Sequence, residues 1–227
     1  MTLICAKDIH KSFGTGDLIT AVLKGIDITV TDGEFLVIMG KSGAGKSTLL
    51  YQLSLLDHPS SGTLTITDID VLNLSEQEQT AFRLNTLGFV FQDYALVPDL
   101  TAEENVVLPL LMRGTPNQEA RKIARSAIDE VGLAGKYHNL PGQLSGGEQQ
   151  RISVARATAG RPKILFADEP TANLDTVSGE SVIKLITCLN KQYGQTVVMV
   201  THEREYASGA DRIVHLEDGK IVHEESN

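Results

Sequence analysis

Phe35-Leu36-Val37-Ile38-Met39-Gly40-Lys41-Ser42-Gly43-Ala44-Gly45-Lys46-Ser47-Thr48 decides the fold. An unbroken apolar run is the pattern of a strand buried on both faces, and this one stops at Gly40. A helical run follows from Lys46 to about Leu56. Between strand and helix, Gly40 to Ser47 match G-x-x-x-x-G-K-[ST] in the context that motif requires. The glycines Gly40, Gly43 and Gly45, with the small Ala44, let the backbone of Lys41 and Ser42 wrap close to a phosphate. Successive N–H groups and the helix start supply the anion-binding dipoles. Lys46 then reaches the β and γ phosphates, Ser47 is placed to ligate Mg²⁺, and Thr48 continues the cradle. A glycine-rich surface turn would need no Lys-Ser pair at a helix start.

Working outward, residues 2 to 10 and 20 to 31 are β-type runs broken by the turn signal Gly14-Thr15-Gly16-Asp17, an antiparallel opening. A β-like stretch covers Thr63 to Ile69. Ser75-Glu76-Gln77-Glu78 and Thr101-Ala102-Glu103-Glu104 both have the spacing of a helix capping box. A further helical run spans Gln118 to Val131. Strand-and-helix alternation resumes at Lys163 to Ala167, Val177 to Tyr193 and Thr196 to Val200, and Asp218-Gly219 gives a hairpin signal. The expected fold is therefore α/β: a phosphate-loop NTPase core with a mostly parallel sheet, an N-terminal antiparallel β-subdomain and an inserted helical subdomain. In one domain of residues 1–227, segments 1–92 and 161–227 form the core plus β-subdomain, and about 93–160 the helical subdomain.

Composition bounds the function. The chain has 227 residues, 41% hydrophobic and 22% charged, enough for one well-buried domain and too ordinary for disorder or a fibrous repeat. Its apolar runs, such as Val106 to Met112, fall far short of the roughly 20 residues that span a bilayer. The N-terminal residues lack the basic head and apolar core of a secretory signal, so the expected location is cytoplasmic. Cys5 and Cys188 have no metal-ligand or redox spacing and are expected to be small core residues. A net charge of −9 argues against a broad nucleic-acid partner.

Ile164-Leu165-Phe166-Ala167-Asp168-Glu169 is an apolar strand ending in two carboxylates, and in an open parallel sheet such strand ends face the ligand crevice. Alone, the pair would be an ordinary helix cap or solvated loop. Beside a phosphate loop, Asp168 is placed to hold magnesium through its water shell, and Glu169 is the base that polarises the attacking water. Gln143-Leu144-Ser145-Gly146-Gly147-Glu148-Gln149-Gln150-Arg151 opens a helix running to about Ala159 and is a second potential phosphate site.

At these residues the sequence resembles the nucleotide-binding domain of ABC transporters. Leu144 to Glu148 are similar to the family signature, Gln92 to its Q-loop, Asn173-Leu174-Asp175 to its D-loop and Thr201-His202 to its H-loop, all in the family's order. The resemblance implies an ATPase, with an ATP site assembled from two chains. Phe13 would stack on adenine, Gln92 would contact magnesium and the attacking water, and His202 would reach the γ phosphate. Ser145, Gly146 and Gly147 would close over the γ phosphate of the opposite subunit, in a head-to-tail homodimer sandwiching two ATP. Phe13 stands where the family usually has Tyr, and Glu148 where Gln is frequent.

Ile38-Met39-Gly40, Leu87 to Gln92 and Thr101 to Leu110 are similar to the ATPase subunits of lipoprotein-releasing and macrolide-exporting transporters. That resemblance implies a separate transmembrane permease subunit and a peripheral place on the cytoplasmic face of the cell membrane. The apolar residues Tyr94, Ala95, Leu96, Val97, Pro98 and Leu100 are expected to dock a short helix of that subunit or to pack within the subdomain. An ordinary P-loop kinase or GTPase would lack Ser145-Gly146-Gly147 and His202 in this order. An ABC ATPase acting on nucleic acid would usually carry tandem domains, a coiled-coil insertion or a basic face.

Overall fold

The computed structural model describes residues 1–14 and 18–226. In chain order the elements are β1 (Thr2–Phe13), β2 (Thr20–Thr31), β3 (Phe35–Met39), α1 (Lys46–Leu53), β4 (Ser61–Ile66), β5 (Ile69–Asp70), α2 (Glu76–Thr86) and β6 (Leu87–Val90). They continue with α3 (Ala102–Met112), α4 (Asn117–Glu130), α5 (Gly146–Thr158), β7 (Ile164–Asp168), α6 (Thr176–Tyr193), β8 (Thr196–Val200), β9 (Arg212–Glu217) and β10 (Lys220–Ser226). Two compact units divide the chain: Met1–Arg83 with Leu189–Asn227, and Leu84–Cys188.

In the first unit, β1 pairs antiparallel with both β2 and β4, and β5 pairs with β4. Thr15, Gly16 and Asp17 of the expected first turn lie outside the described residues. The stretch expected as one β run at 63–69 is two strands, because Thr67 and Asp68 both take positive φ, 52° and 62°, and close a two-residue hairpin. The expected hairpin at Asp218-Gly219 is present, with φ values of 46° and 74° and Glu217 opposite Lys220. The other sheet of this unit is mixed: β3 lies parallel to β8 and β9, and β10 antiparallel to β9. Every residue of β3 and β8 is buried, as their unbroken apolar sequences require.

Helix α1 ends at Leu53 rather than near Leu56. Leu55 takes φ 59°, which stops the helix and turns its side chain into the core at 1% exposure, while its carbonyl accepts a hydrogen bond from Arg83. Apolar periodicity continues through Leu55 and Leu56, so the break is set by this tertiary contact.

The second unit holds β6 parallel to β7, in register from Leu87 opposite Ile164 to Val90 opposite Ala167. All of β7 is buried. Helices α3, α4 and α5 follow where the sequence becomes helical, and both α3 and α5 begin with full capping boxes. Buried Glu103 of α3 takes Arg121 and Arg125 of α4, each at 3.1 Å. Cys5 and Cys188 are half-buried and free.

Candidate functional site

In the first unit, the β3–α1 loop carries the phosphate motif. Gly40 must be glycine: a Cβ there would lie 2.2 Å from the Leu216 carbonyl oxygen of β9. Gly45 is the N-cap of α1 at φ 99° and contributes no side-chain acceptor, and the first turn of α1 has no acidic residue. That helix start has neither of the usual intramolecular means of neutralising its dipole. Lys46 is 6% exposed, and its Nζ donates to Lys41 O at 3.2 Å, so the ammonium folds back over the loop that precedes it. Desolvating a lysine beside a helix N-terminus is electrostatically unfavourable unless an anion offsets it. Lys41, Ser42 and Gly43 are exposed, Ala44 is buried, and Ser47 and Thr48 are half-buried.

His202 belongs to the same edge of the same unit. The β3–β8 register sets Ile38 opposite Val200, and Thr201 N donates to Ile38 O at 3.3 Å. His202 is therefore carried out of the carboxyl end of β8 beside the strand that delivers Gly40, and it is exposed. Phe13 is the last residue of β1 and is 48% exposed. Lys11 Nζ lies 5.0 Å from the centroid of the Phe13 ring and pairs with Asp57 at 2.7 Å. Burial pushes the Asp57 carboxyl up, but the hydrogen bonds from Lys11, Gln52 and the His58 backbone together hold it below its ordinary value.

The second unit carries the acidic residues. Asp168 ends β7 at 4% exposure, and Glu169 follows with φ 40°, a left-handed conformation uncommon for a glutamate. Backbone outliers of this kind concentrate where a side chain must be aimed. The parallel β6–β7 register ends with Val90 opposite Ala167, so Gln92 and Glu169 each follow two residues later from the carboxyl ends of neighbouring strands. Gln92 is exposed, and its carbonyl accepts from Asn173 Nδ2 at 3.2 Å; the same Nδ2 donates to Asp93 at 3.0 Å.

The start of α5 is built differently from that of α1. Ser145 accepts from Glu148 N at 3.3 Å, and the Glu148 carboxylate accepts from Ser145 N at 2.8 Å. The Ser145 backbone N–H, followed by Lys136, holds the Glu148 carboxyl below its ordinary value. The two glycines here answer to close approach. A Cβ on Gly146 would fall 2.9 Å from the Tyr94 hydroxyl, and one on Gly147 would fall 2.8 Å from Ser178 Oγ. The Tyr94 hydroxyl also donates to Asn173 O at 3.3 Å, so Gly146 and Asn173 meet at one phenol two residues beyond Gln92.

Sequence reasoning gave no role to two residues that hold these loops, Arg156 and Gln150, and it placed Asn173 and Tyr94 without their contacts to each other. Arg156 donates to Tyr94 O at 2.8 Å and to Ala95 O. Gln150 of α5 is fully buried, as are Ser153 and Val154 about one turn further along the helix. Its one visible signal was a polar residue on the buried face of a helix.

The family model described as ABC transporter matches residues 23–172. The uncharacterized ABC transporter ATP-binding protein MJ1508 of Methanocaldococcus jannaschii is 45% identical, covering 97% of this chain and 98% of that protein. The lipoprotein-releasing system ATP-binding protein LolD of Geobacter metallireducens is 43% identical, over 97% of this chain and 98% of that one. The macrolide export ATP-binding/permease protein MacB of Brucella abortus is 46% identical over 97% of this chain, which spans 34% of the MacB length. The dimeric post-hydrolysis structure of the ATP-binding cassette MJ0796 bound to ADP and Pi superposes with a TM-score of 0.91 at 40% identity, covering 99% of this chain and 98% of that one. The chain belongs to the ABC transporter family, as an ATP-hydrolysing, ATP-binding subunit of the LolD and MacB type.

Proposed function

We propose that two copies of this chain close head to tail over two ATP molecules and hydrolyse them to power a separate membrane permease. The carrying observation is Lys46, buried at the start of a helix that has no cap side chain and no acid of its own. A lysine at an uncapped helix start after a glycine turn forms an anion site that fits a polyphosphate. In this reading Gly40 to Thr48 hold the phosphates, with Lys46 on the β and γ groups, and the exposed Phe13 offers its ring to adenine. Ser145, Gly146 and Gly147 close on the γ phosphate held by the other copy. His202 contacts the γ phosphate.

Among the described residues no group of His, Cys, Asp or Glu side chains is arranged to enclose a metal ion. The donors assigned to Mg²⁺, Ser47, Gln92 and Asp168, are oxygen atoms that would leave places for phosphate and water. That hard, partly open set is what magnesium takes in nucleotide sites. When bound, the ion neutralises charge developing on the phosphates. Glu169, aimed by its left-handed backbone, accepts the proton of the attacking water, and Gln92 orients that water.

No helix among the described residues is long and apolar enough to cross a membrane. We therefore assign the transport path to another chain and place this one on the cytoplasmic face. Leu96, half-buried, and Val97, 40% exposed, precede α3, whose Leu108, Leu111 and Met112 are also exposed. These apolar residues are the proposed dock for the permease. They sit in the segment 93–160 that we assign as the helical subdomain.

The test is Glu169→Gln. ATP binding and ATP-dependent dimer formation in size-exclusion chromatography should survive, while kcat falls roughly 10²–10⁴-fold, the range of a lost general base. Rapid hydrolysis by this variant would remove Glu169 from its role. An ATP-loaded variant that stays monomeric would remove the dimer.

A further inference from the structure

We propose that Gln150 is a positioning residue that fastens the Gln92 and Glu169 loops to the helix that begins with the signature glycines. This rests on the reading in which Gln92 and Glu169 serve hydrolysis. Gln150 is fully buried, and its Nε2 donates to Phe91 O at 3.2 Å and Pro170 O at 2.9 Å. Phe91 immediately precedes Gln92, and Pro170 immediately follows Glu169. A carboxamide has two N–H bonds, and both are committed here. Turning the amide over would set its oxygen against two carbonyl oxygens, so its orientation is fixed.

The Oε1 of the same amide is buried with no hydrogen-bond partner among the described residues. Filling this volume would require only a leucine or methionine, without the unpaired acceptor. What the glutamine adds is simultaneous control of two backbone carbonyls. Their loops are otherwise strained: Glu169, Tyr94 and Ala95 have φ values of 40°, 61° and 50°. Further along α5, Arg156 takes the carbonyls of Tyr94 and Ala95. The backbone is thus held to α5 on both sides of Gln92 and Asp93, and the backbone beyond Glu169 is held by the same amide. Gln150 lies about one turn from Gly146 and Gly147, so a shift of α5 on engaging a phosphate at its start is delivered to both loops at once. Hydrolysis then requires that the signature end be engaged, and ATP binding to the loop of residues 40–48 does not.

The experiment measures ATP affinity with a fluorescent ATP analogue, single-turnover and steady-state hydrolysis, and folded fraction by circular dichroism. The chains are wild type, Gln150→Leu, Gln150→Glu, Glu169→Gln and the double variant Gln150→Leu/Glu169→Gln. Both Gln150 variants should keep ATP affinity within about threefold while kcat per folded molecule falls roughly 10–100-fold, the scale of a misplaced catalytic group. Against Glu169→Gln, the leucine substitution should change the residual rate by less than about threefold, because the group it positions is gone. A kcat within about twofold of wild type, or the same loss in both backgrounds, overturns the proposal. Should either variant not fold, Gln150→Met is measured in its place under the same criteria. Rapid hydrolysis by Glu169→Gln alone would instead sink the underlying assignment, a result separate from any effect at Gln150.

Discussion

Gly40 and Gly43 stand in one loop yet answer to different constraints. A Cβ at Gly40 would meet the Leu216 carbonyl at 2.2 Å, whereas one at Gly43, at φ 79°, would meet nothing within 4 Å. Gly43→Ala should therefore cost only the backbone preference, about 1 kcal/mol. Gly40→Ala should cost roughly 2–4 kcal/mol because β9 must move. Urea unfolding of the two variants checks the difference, and equal losses would contradict it. The loop was legible in the sequence because its chemistry is contiguous, from a buried strand to a Lys-Ser helix start. Gln150 was not: its partners lie 59 and 20 residues away, and nothing local marks which carbonyls a buried amide will meet.

Among the elements, the helix starts separate by purpose. Helices α3 and α5 close their own first turns with Thr101–Glu104 and Ser145–Glu148, while α1 has no side-chain cap. The Thr101–Glu104 box was legible in advance because it is local, three residues apart, as was the hairpin at Asp218-Gly219, whereas the Ser145–Glu148 box has the same spacing and was not read as one. The end of α1 and the split of β4 from β5 could not be read in advance, since no local pattern marks Leu55, Thr67 and Asp68 for their positive φ values of 59°, 52° and 62°. The α3–α4 pair gives a pH prediction. Burial pushes the Glu103 carboxyl up, but Arg125 and Arg121 outweigh it and hold it below the ordinary glutamate range. A carboxylate depressed on folding adds stability above its unfolded pKa, about 4.3, and loses it as pH falls through the lower folded value. Glu103→Gln should thus destabilise the chain by roughly 1–2 kcal/mol at pH 7, the buried-pair cost reduced by the half-exposed arginines. In urea titrations the gap to wild type should hold down to about pH 5 and close below it. A gap that widens in acid would contradict the ion triad.

At the scale of the molecule, composition predicted a well-buried α/β chain with no membrane span, and motif order predicted the family. Each unit carries part of the assigned machinery: the phosphate loop, Phe13 and His202 in one, Gln92, Asp168, Glu169 and the signature in the other. Leu96→Asp should leave the ATPase of the isolated chain within about twofold while abolishing transport-coupled stimulation by the permease, since the substitution places a charge in an apolar dock. Stimulation unchanged in reconstituted vesicles would move the dock elsewhere. The shared site itself is tested most directly by mixing two inactive chains, Lys46→Ala and Ser145→Arg. In a head-to-tail heterodimer one composite site carries both lesions and the other carries neither. Equimolar mixing should therefore restore ATP hydrolysis to roughly a quarter of the wild-type rate, with half the dimers mixed and one of two sites intact in each. A mixture no more active than either variant alone would contradict an ATP site built from two copies of the chain.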